Sequence, residues 1–342
     1  LVYRVRVGFY DDDKISQVDK GASIVFVMNH RSNMDYVLVS FLVAERTTLS
    51  YAVGEWARIW PLQTLIKSMG AFFVRRSSGN PLYRKVLERY VNMSTRAGVC
   101  QAVFLEGGLT RDGKLREPRL GFLDYMLRDY HPHTDRDIIF IPVGINYDRV
   151  IEDRSLIRKL DSTAEKRSHW FVLKTTLGFI FKNLMLSRKN RWRRFGYASV
   201  NFGEPLSAKS YCDSHGIDFS ALPSESRFEQ VGKLSESIMT NISSVIPIMP
   251  VALMCETLIS CRDTWKSELE LKTRCVERLA TLEDKGAPVE IASSAVESVL
   301  GSALSILLGR GLVEEKANLY RMRLSEKDIV SYYANSIAHW QA

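Results

Sequence analysis

The chain has 342 residues, of which 46% are hydrophobic, so it can bury a large core and is long enough for one large domain with a smaller one beside it. Its formal net charge of +8 favours anionic partners such as phosphates, phospholipid headgroups, coenzyme A or an acidic carrier protein. Nucleic acid would suit this charge equally well, but the sequence contains no known nucleic-acid-binding motif.

A histidine and an aspartate follow the first long apolar run. Residues 22–28 suit a strand buried on both faces, and residues 34–45 then predict a buried helix. His30 lies in the polar turn between them and Asp35 in the first turn of the helix, so the aspartate can hydrogen-bond one ring nitrogen and leave the other free to take a proton from an alcohol. A substrate hydroxyl could then be the nucleophile. The alternative is a surface histidine beside a carboxylate that favours the helix dipole.

Further apolar runs alternate with helical patterns, which predicts an α/β fold with a mostly parallel or mixed sheet flanked by helices. The predicted strands are residues 50–53, 70–76, 102–105, 138–143 and 198–203, and the helices between them are residues 56–68 and 80–96. In such sheets ligands bind beyond the carboxyl ends of the strands. Polar residues that follow or end these runs are therefore expected to share a pocket with His30. They are Arg75, Arg76, Glu106, Arg111 and Pro142.

Cations and glycines are concentrated in this predicted pocket. Guanidinium forks match phosphate oxygens, so a group of cations there could bind a phosphate. The group is Arg75, Arg76, Arg111 and Lys114. Gly107, beside Glu106, would let the backbone approach a ligand. The alternatives are solvated charges at strand ends and, for Glu106, a local pairing with an arginine that holds the loop.

Two apolar stretches bear on membrane binding. Residues 170–186 alternate aromatic and aliphatic side chains with lysines, and a basic run at residues 188–194 follows. This order suits an interfacial helix reaching anionic lipid, although a helix packed on the sheet before a basic surface turn fits as well. Residues 237–255 are uncharged, but two prolines interrupt them, so a pair of soluble helices is expected there.

The last third of the sequence is mainly helical. Helices are predicted over residues 228–244, 252–282, 289–308 and 325–339, with a small hairpin within residues 309–323. We therefore predict an α/β domain over residues 1–222 and a helical domain over residues 223–342. The five cysteines are odd in number and include no Cys-x2-Cys pair, which indicates a reduced protein without disulfides or zinc.

Four ordered blocks resemble those of the glycerolipid acyltransferases. The blocks are NHRSNMDY at 29–36, GAFFVRR at 70–76, FLEGG at 104–108 and IPV at 141–143. The second block, followed by Asn-x-Leu-Tyr at 80–83, most resembles the bacterial membrane-bound glycerol-3-phosphate acyltransferases and their dihydroxyacetone-phosphate relatives. YYANSIAH at 332–339 resembles a segment in the helical tail of the same proteins.

The resemblance implies transfer of an acyl group from acyl-coenzyme A or acyl carrier protein to the sn-1 hydroxyl of glycerol 3-phosphate. His30 would be the general base, Asp35 its orienting partner and Pro142 part of the acyl or acceptor pocket. Arg76 matches the arginine of the second block, and Glu106 with Gly107 matches the pair of the third block. Backbone N–H groups near a helix start are candidates for holding the oxyanion.

One departure from the family pattern affects the acceptor. Relatives usually continue the third block as EGGRSR, whereas this chain has Leu109-Thr110-Arg111. One expected phosphate-contacting arginine is therefore missing, while Arg111 retains the second and Lys114 could compensate.

Several expectations about partners and location follow from the resemblance. We expect no metal, redox cofactor or acyl-enzyme, because the alcohol attacks directly. The expected partners are glycerol 3-phosphate, the acyl donor and an anionic membrane surface, without nucleic acid, and the expected location is peripheral on the cytoplasmic face of the inner membrane. The alternatives are an acyltransferase that uses dihydroxyacetone phosphate or a lysophospholipid, and a non-catalytic lipid-binding protein that keeps the fold.

Overall fold

The computed structural model describes residues 3–8, 18–19, 21–43, 50–54, 70–74, 79–158, 160, 194–289, 291 and 293–341. The strands are β1 Arg4–Val7, β2 Ser23–Met28, β3 Ser50–Gly54, β4 Ala71–Val74, β5 Gln101–Phe104, β6 Ile138–Tyr147, β7 Tyr197–Phe202, β8 Leu206–Ser207, β9 Lys266–Ser267, β10 Val313–Lys316 and β11 Leu319–Met322. The α-helices are α1 Met34–Val43, α2 Pro81–Arg96, α3 Gly121–Leu127, α4 Asp153–Arg158, α5 Ala208–His215, α6 Ser224–Ser244, α7 Pro250–Ser260, α8 Glu268–Asp284, α9 Val296–Gly309 and α10 Lys327–Ala334.

The main sheet is mixed, as predicted. Its strand order is β1-β7-β6-β2-β5-β3-β4, with β8 also paired to β6. Strands β6, β2, β5, β3 and β4 run parallel, whereas β7 and β8 run antiparallel to β6. All ten residues of β6 are buried, as expected for an apolar central strand covered on both faces.

The register brings the ends of β2 and β5 together beside β6. Met28, the last residue of β2, pairs with Phe104 at the end of β5 and with Val143 in β6. Because these strands are parallel, the chain leaves β2 and β5 at the same edge of the sheet. The segments that follow Met28 and Phe104 therefore lie side by side.

The C-terminal helices pack directly on the sheet. One apolar core contains Ile145 of β6, Val200 of β7, Leu253 of α7, Leu300 of α9 and Tyr333 of α10. This core crosses the predicted domain boundary at residue 222, and the division into two domains stays a prediction.

The prediction of one helix over residues 252–282 is wrong, because this segment forms two helices, α7 and α8. Arg262 and Asp263 adopt positive φ values of 47° and 62° after α7, which ends the helix. Ser267 then caps α8 in a reciprocal capping box with Glu270. The predicted hairpin is confirmed as β10 and β11, and β9 adds a third strand beside β11.

Other predicted elements differ at their ends or cannot be compared. The strand predicted to end at residue 143 continues to Tyr147. The helix predicted over residues 325–339 is α-helical only over α10 and continues as a 3₁₀ segment. The helix predicted over residues 56–68 and the amphipathic stretch at 170–186 lie outside the described residues. In the described part of the chain, no helix combines the length and apolar character needed to cross a bilayer.

Candidate active site

The loop that carries His30 begins where Asn29 ends the pairing of β2. The Asn29 side chain donates from Nδ2 to the carbonyl oxygen of Ile145 (2.9 Å) and accepts from the Ile145 N–H (2.8 Å). The side chain thus takes the place of the next pair of backbone hydrogen bonds between β2 and β6. The Ser32 hydroxyl donates to the Glu152 carboxylate (2.8 Å), and the Asn33 side chain donates to the same group (3.1 Å). The loop is held at both ends by side-chain hydrogen bonds.

His30 and Asp35 meet as the spacing predicted. The His30 Nδ1 atom lies 2.9 Å from the Asp35 Oδ2 atom, and the two side chains are 1% and 0% exposed. The same oxygen accepts the N–H groups of Arg31 (2.7 Å) and Ser32 (3.0 Å), and Oδ1 accepts the hydroxyl of Tyr147 (2.6 Å). These donors offset the removal of the carboxylate from water. The surface-histidine alternative does not hold.

The His30 ring has one nitrogen left for chemistry. Its ring packs against Phe104, with 4.0 Å between centroids, and edge-on against Tyr36 at 5.4 Å. Nδ1 faces Asp35, and no hydrogen bond within the described residues engages Nε2. With Nδ1–H donating to the aspartate, Nε2 is the nitrogen that can accept a proton.

Glu106 joins the histidine loop to the loop that follows β5. Its Oε1 atom accepts the His30 N–H (2.7 Å) and its Oε2 atom accepts the Arg116 N–H (3.1 Å). The side chain is 1% exposed, and this burial raises the pKa of Glu106 to about 7. Both oxygens are used to hold backbone. The predicted substrate contact of Glu106 stays a prediction.

Gly107 is required by the turn after β5. Its φ of 65° lies in the left-handed region, and a Cβ atom there would lie 2.7 Å from the Arg119 Cγ atom. The close approach is to a protein side chain. Whether the backbone of Gly107 also contacts substrate stays a prediction.

Two of the four predicted phosphate-binding cations are described. Arg111 and Lys114 are both exposed, and the loop that carries them begins where the Thr110 N–H donates to the His30 carbonyl oxygen (3.1 Å). The start of this loop therefore lies beside His30. Arg75 and Arg76 lie outside the described residues, just after β4.

Pro142 was predicted near the exit of a strand over residues 138–143, but the strand continues past it to Tyr147. It lies within β6, buried and opposite Val27 of β2. A proline has no N–H to donate. The N and O atoms of one strand residue point to the same edge, and the Pro142 carbonyl accepts the N–H of Gly203, between β7 and β8. The N–H group that Pro142 lacks would therefore point at the gap between β7 and β8. A role in shaping the pocket stays a prediction.

The start of α1 does not offer an oxyanion site. The N–H groups of Arg31 and Ser32 bind Asp35, that of Asn33 lies 3.3 Å from Glu152, and that of Met34 donates to the Ser32 hydroxyl. Each of these donors already has an acceptor. The interpretation that donors near this helix start hold an oxyanion is not supported here.

Two family models match the chain on either side of its middle. The model described as "Acyltransferase" matches residues 6–146, which include the dyad and Glu106, and that described as "Glycerol-3-phosphate acyltransferase C-terminal region" matches residues 181–342. The two matches together support membership of the glycerol-3-phosphate acyltransferase family. The predicted resemblance is confirmed.

Named relatives agree with the family models. A glycerol-3-phosphate acyltransferase of Pseudomonas syringae pv. tomato is 27% identical over 96% of this chain and 40% of its own length. One from Xanthomonas axonopodis pv. citri is 32% identical over 72% of this chain and 28% of its own length, and one from Haemophilus ducreyi is 28% identical over 94% and 40%. The chain thus spans about 40% of the length of the relatives it matches most fully.

The departure from the family's third block has a structural counterpart. Leu109 occupies a position where an arginine is usual, and it is partly buried against the main apolar core. Its side chain contributes packing where the family pattern would supply charge.

Three residues near the dyad were missed by sequence reasoning. Tyr147 binds Asp35, Glu152 binds the loop at Ser32, and Tyr332 lies under the guanidinium of Arg31. Tyr147 and Glu152 follow an apolar run that continues past Val143, so extending that strand would have pointed to them. Tyr332 lies in a segment that the resemblance singled out without giving it a role.

Proposed function

We propose that this protein transfers a fatty acyl group from acyl-coenzyme A or acyl carrier protein to the sn-1 hydroxyl of glycerol 3-phosphate, giving lysophosphatidic acid for phospholipid synthesis. The observation that carries the proposal is the buried His30–Asp35 pair, whose Nε2 atom is left for a proton beside a loop bearing Arg111 and Lys114. The names of the relatives support this substrate and reaction.

The first step is attack by the acceptor alcohol. His30 Nε2 takes the hydroxyl proton while the alcohol oxygen forms a bond to the thioester carbonyl carbon. Asp35 stabilises the resulting imidazolium through Nδ1–H. A general base of this kind contributes about 10²–10⁴ in rate.

The second step is collapse of the tetrahedral intermediate. The carbonyl re-forms, the carbon–sulfur bond breaks, and the leaving sulfur takes the proton from His30 Nε2. The products are the ester and a free thiol, and the imidazole is neutral again. The acceptor oxygen is itself the nucleophile, so the scheme uses no acyl-enzyme, metal or redox cofactor.

The cations beside the dyad suit a phosphorylated acceptor. Arg111 and Lys114 are exposed on a loop whose first residue, Thr110, is bonded to His30. Arg75 and Arg76 follow β4, which ends at the same edge of the sheet as β2. Arg111 and Lys114 could hold the phosphate so that the sn-1 hydroxyl reaches Nε2, and we propose that Arg75 and Arg76 contribute to the same binding.

The test is an assay of purified protein with each acceptor and each donor, followed by thiol release. We expect transfer to glycerol 3-phosphate, and loss of most transfer in His30→Ala. Preference for dihydroxyacetone phosphate or a lysophospholipid would replace the proposed acceptor. Full transfer by His30→Ala would exclude the proposed base, and no transfer to any acceptor would favour a lipid-binding protein.

We further propose that the protein binds the cytoplasmic face of the inner membrane peripherally. The support is the net charge of +8 and the aromatic and basic pattern of residues 170–194. Replacing Arg191, Arg193 and Arg194 by glutamine should weaken co-sedimentation with anionic vesicles and leave binding to neutral vesicles unchanged. A control variant replaces three exposed arginines of the C-terminal region, Arg262, Arg274 and Arg323. If both variants lost vesicle binding equally, net charge alone would explain the effect.

A further inference from the structure

The loop that carries Arg111 and Lys114 is folded on itself. The Gly113 N–H donates to the Thr110 hydroxyl (3.1 Å), and the Lys114 N–H donates to the Asp112 carboxylate (3.0 Å). We call residues 110–114 the cationic loop. Its internal bonds set its shape, and its position relative to His30 depends on what holds it from outside.

The end of α10 touches the backbone of the cationic loop. The Asn335 side chain donates from Nδ2 to the Asp112 carbonyl oxygen (2.9 Å). A Cβ atom on Gly113 would lie 1.9 Å from the Tyr332 carbonyl oxygen, and Gly113 has a φ of 89°. Only glycine fits this contact between two backbones. The loop and the helix end are therefore packed without space for a side chain between them.

Arg31 connects the same helix end to the dyad loop. The residue is 3% exposed, and its guanidinium donates from Nη1 to the Gly113 carbonyl oxygen and lies 4.9 Å above the Tyr332 ring. Nε and Nη2 have no hydrogen-bond partner among the described residues. Since a buried guanidinium needs compensation, the face of the Tyr332 ring is an important stabilising contact for it.

The next residue of the helix anchors α10 elsewhere. The Tyr333 hydroxyl accepts the N–H of Val150 (3.0 Å) and donates to the Asp153 carboxylate (2.5 Å). Arg310 also donates to it (3.0 Å). None of these partners belongs to the cationic loop. Neighbouring tyrosines on one helix thus have separate tasks, which provides a matched control.

We propose that Tyr332 and Asn335 are positioning residues that hold the cationic loop where Arg111 and Lys114 can bind the phosphate of the acceptor. The inference rests on the proposed function and gives the C-terminal helices a part in acceptor affinity. Tyr332 acts through Arg31 and Gly113, and Asn335 acts through Asp112. Neither residue needs to touch substrate.

The kinetic test uses the full chain and two variants, Asn335→Ala and Tyr332→Leu. We expect the KM for glycerol 3-phosphate to rise about tenfold, while kcat at saturating acceptor and the KM for the thioester change less than about twofold. Tyr332→Phe retains the ring under Arg31 and should restore most of the acceptor affinity. Tyr333→Phe should leave the acceptor KM unchanged. Equal changes in both KM values, or the same acceptor effect in Tyr333→Phe, would overturn the proposal.

Hydrogen exchange of the same variants tests the loop contact without reference to activity. Amides of residues 110–114 should exchange faster in Asn335→Ala and Tyr332→Leu than in Tyr333→Phe, with the melting temperature recorded for each variant. Unchanged exchange in the loop would overturn the proposal even if activity fell. A wild-type chain that transfers no acyl group to glycerol 3-phosphate would contradict the proposed function, and loop exchange would still decide whether the helix end holds the loop.

Discussion

The part of the chain that the structure describes contains two histidine–aspartate pairs in very different surroundings. In the first, His30 Nδ1 lies 2.9 Å from Asp35, and the side chains are 1% and 0% exposed. In the second, His131 Nε2 lies 3.4 Å from Asp218, with exposures of 41% and 33%. The residue types are the same. Only the first pair is shielded from water, which competes for both partners of the second.

The partners of the two carboxylates add to this difference. Asp35 accepts the Tyr147 hydroxyl and two backbone N–H groups besides the imidazole. The slight burial of Asp218 acts to raise its pKa, but hydrogen bonds from Ser220 and the charge of His131 outweigh it and hold the pKa below the ordinary value. Asp218 is thus stabilised locally as an exposed turn residue. A histidine–aspartate contact becomes a candidate for catalysis when the rest of the fold fixes both rotamers.

The largest expected effect separates the two pairs by activity. His30→Ala should lower kcat/KM for acyl transfer by about 10²–10⁴, because the base that takes the acceptor proton is removed. His131→Ala should leave kcat/KM within about twofold of the wild type, because this ring is exposed and its aspartate is held by Ser220. Thiol release under matched conditions measures both. Similar losses of kcat/KM in the two variants would contradict the view that burial distinguishes the catalytic pair from the exposed one.

A second prediction concerns the buried carboxylate beside the first pair. Burial raises the pKa of Glu106 from 4.5 to about 7, so between these values the folded protein holds a proton that the unfolded chain has released. The contribution of Glu106 to stability is therefore complete below about pH 4.5 and is lost as pH rises through about 7, for a total of about 3 kcal/mol.

Glu106→Gln removes this titration. Urea unfolding measures the difference, which is the free energy of unfolding of the variant minus that of the wild type. This difference should rise by about 3 kcal/mol between about pH 4.5 and about pH 8. Burial also raises the pKa of Asp148, to about 6, but that titration is common to both proteins and cancels in the difference. A difference that stays constant with pH would mean that Glu106 is ionised in the folded protein throughout.

The contrast between the pairs also marks what sequence could predict. The run before His30 and the five-residue step to Asp35 are local patterns, and both were confirmed, as were the mixed sheet and the strands that bring Glu106 to the same edge. The split between α7 and α8 carried a local signal as well, since Ser267 and Glu270 have the spacing of a capping box.

The residues that surround the dyad had no such local signal. Tyr147 reaches Asp35 from 112 positions away, and Tyr332 reaches Arg31 from 301 positions away. These contacts depend on strand register and on how α10 packs, which periodicity does not encode. The apolar run at residues 138–143 predicts Pro142 near a strand exit, whereas β6 continues to Tyr147 and the gap between β7 and β8 accommodates the proline.

The smallest expected effect concerns the Tyr147 hydroxyl, which binds the aspartate of the first pair. Tyr147→Phe leaves Asp35 Oδ1 buried without its hydroxyl donor, so the free energy of unfolding should fall by about 1–3 kcal/mol. The hydroxyl also helps to fix the rotamer of Asp35 and so the orientation of the His30 ring, and kcat/KM for acyl transfer should fall about tenfold without it. Tyr3→Phe is the matched control, because its ring packs 5.2 Å from that of Tyr147 while its hydroxyl binds the Arg149 carbonyl oxygen. Tyr3→Phe should lower stability without lowering kcat/KM. If both variants lower kcat/KM equally, the aromatic packing around the dyad matters more than the hydroxyl, and burial alone distinguishes the two histidine–aspartate pairs.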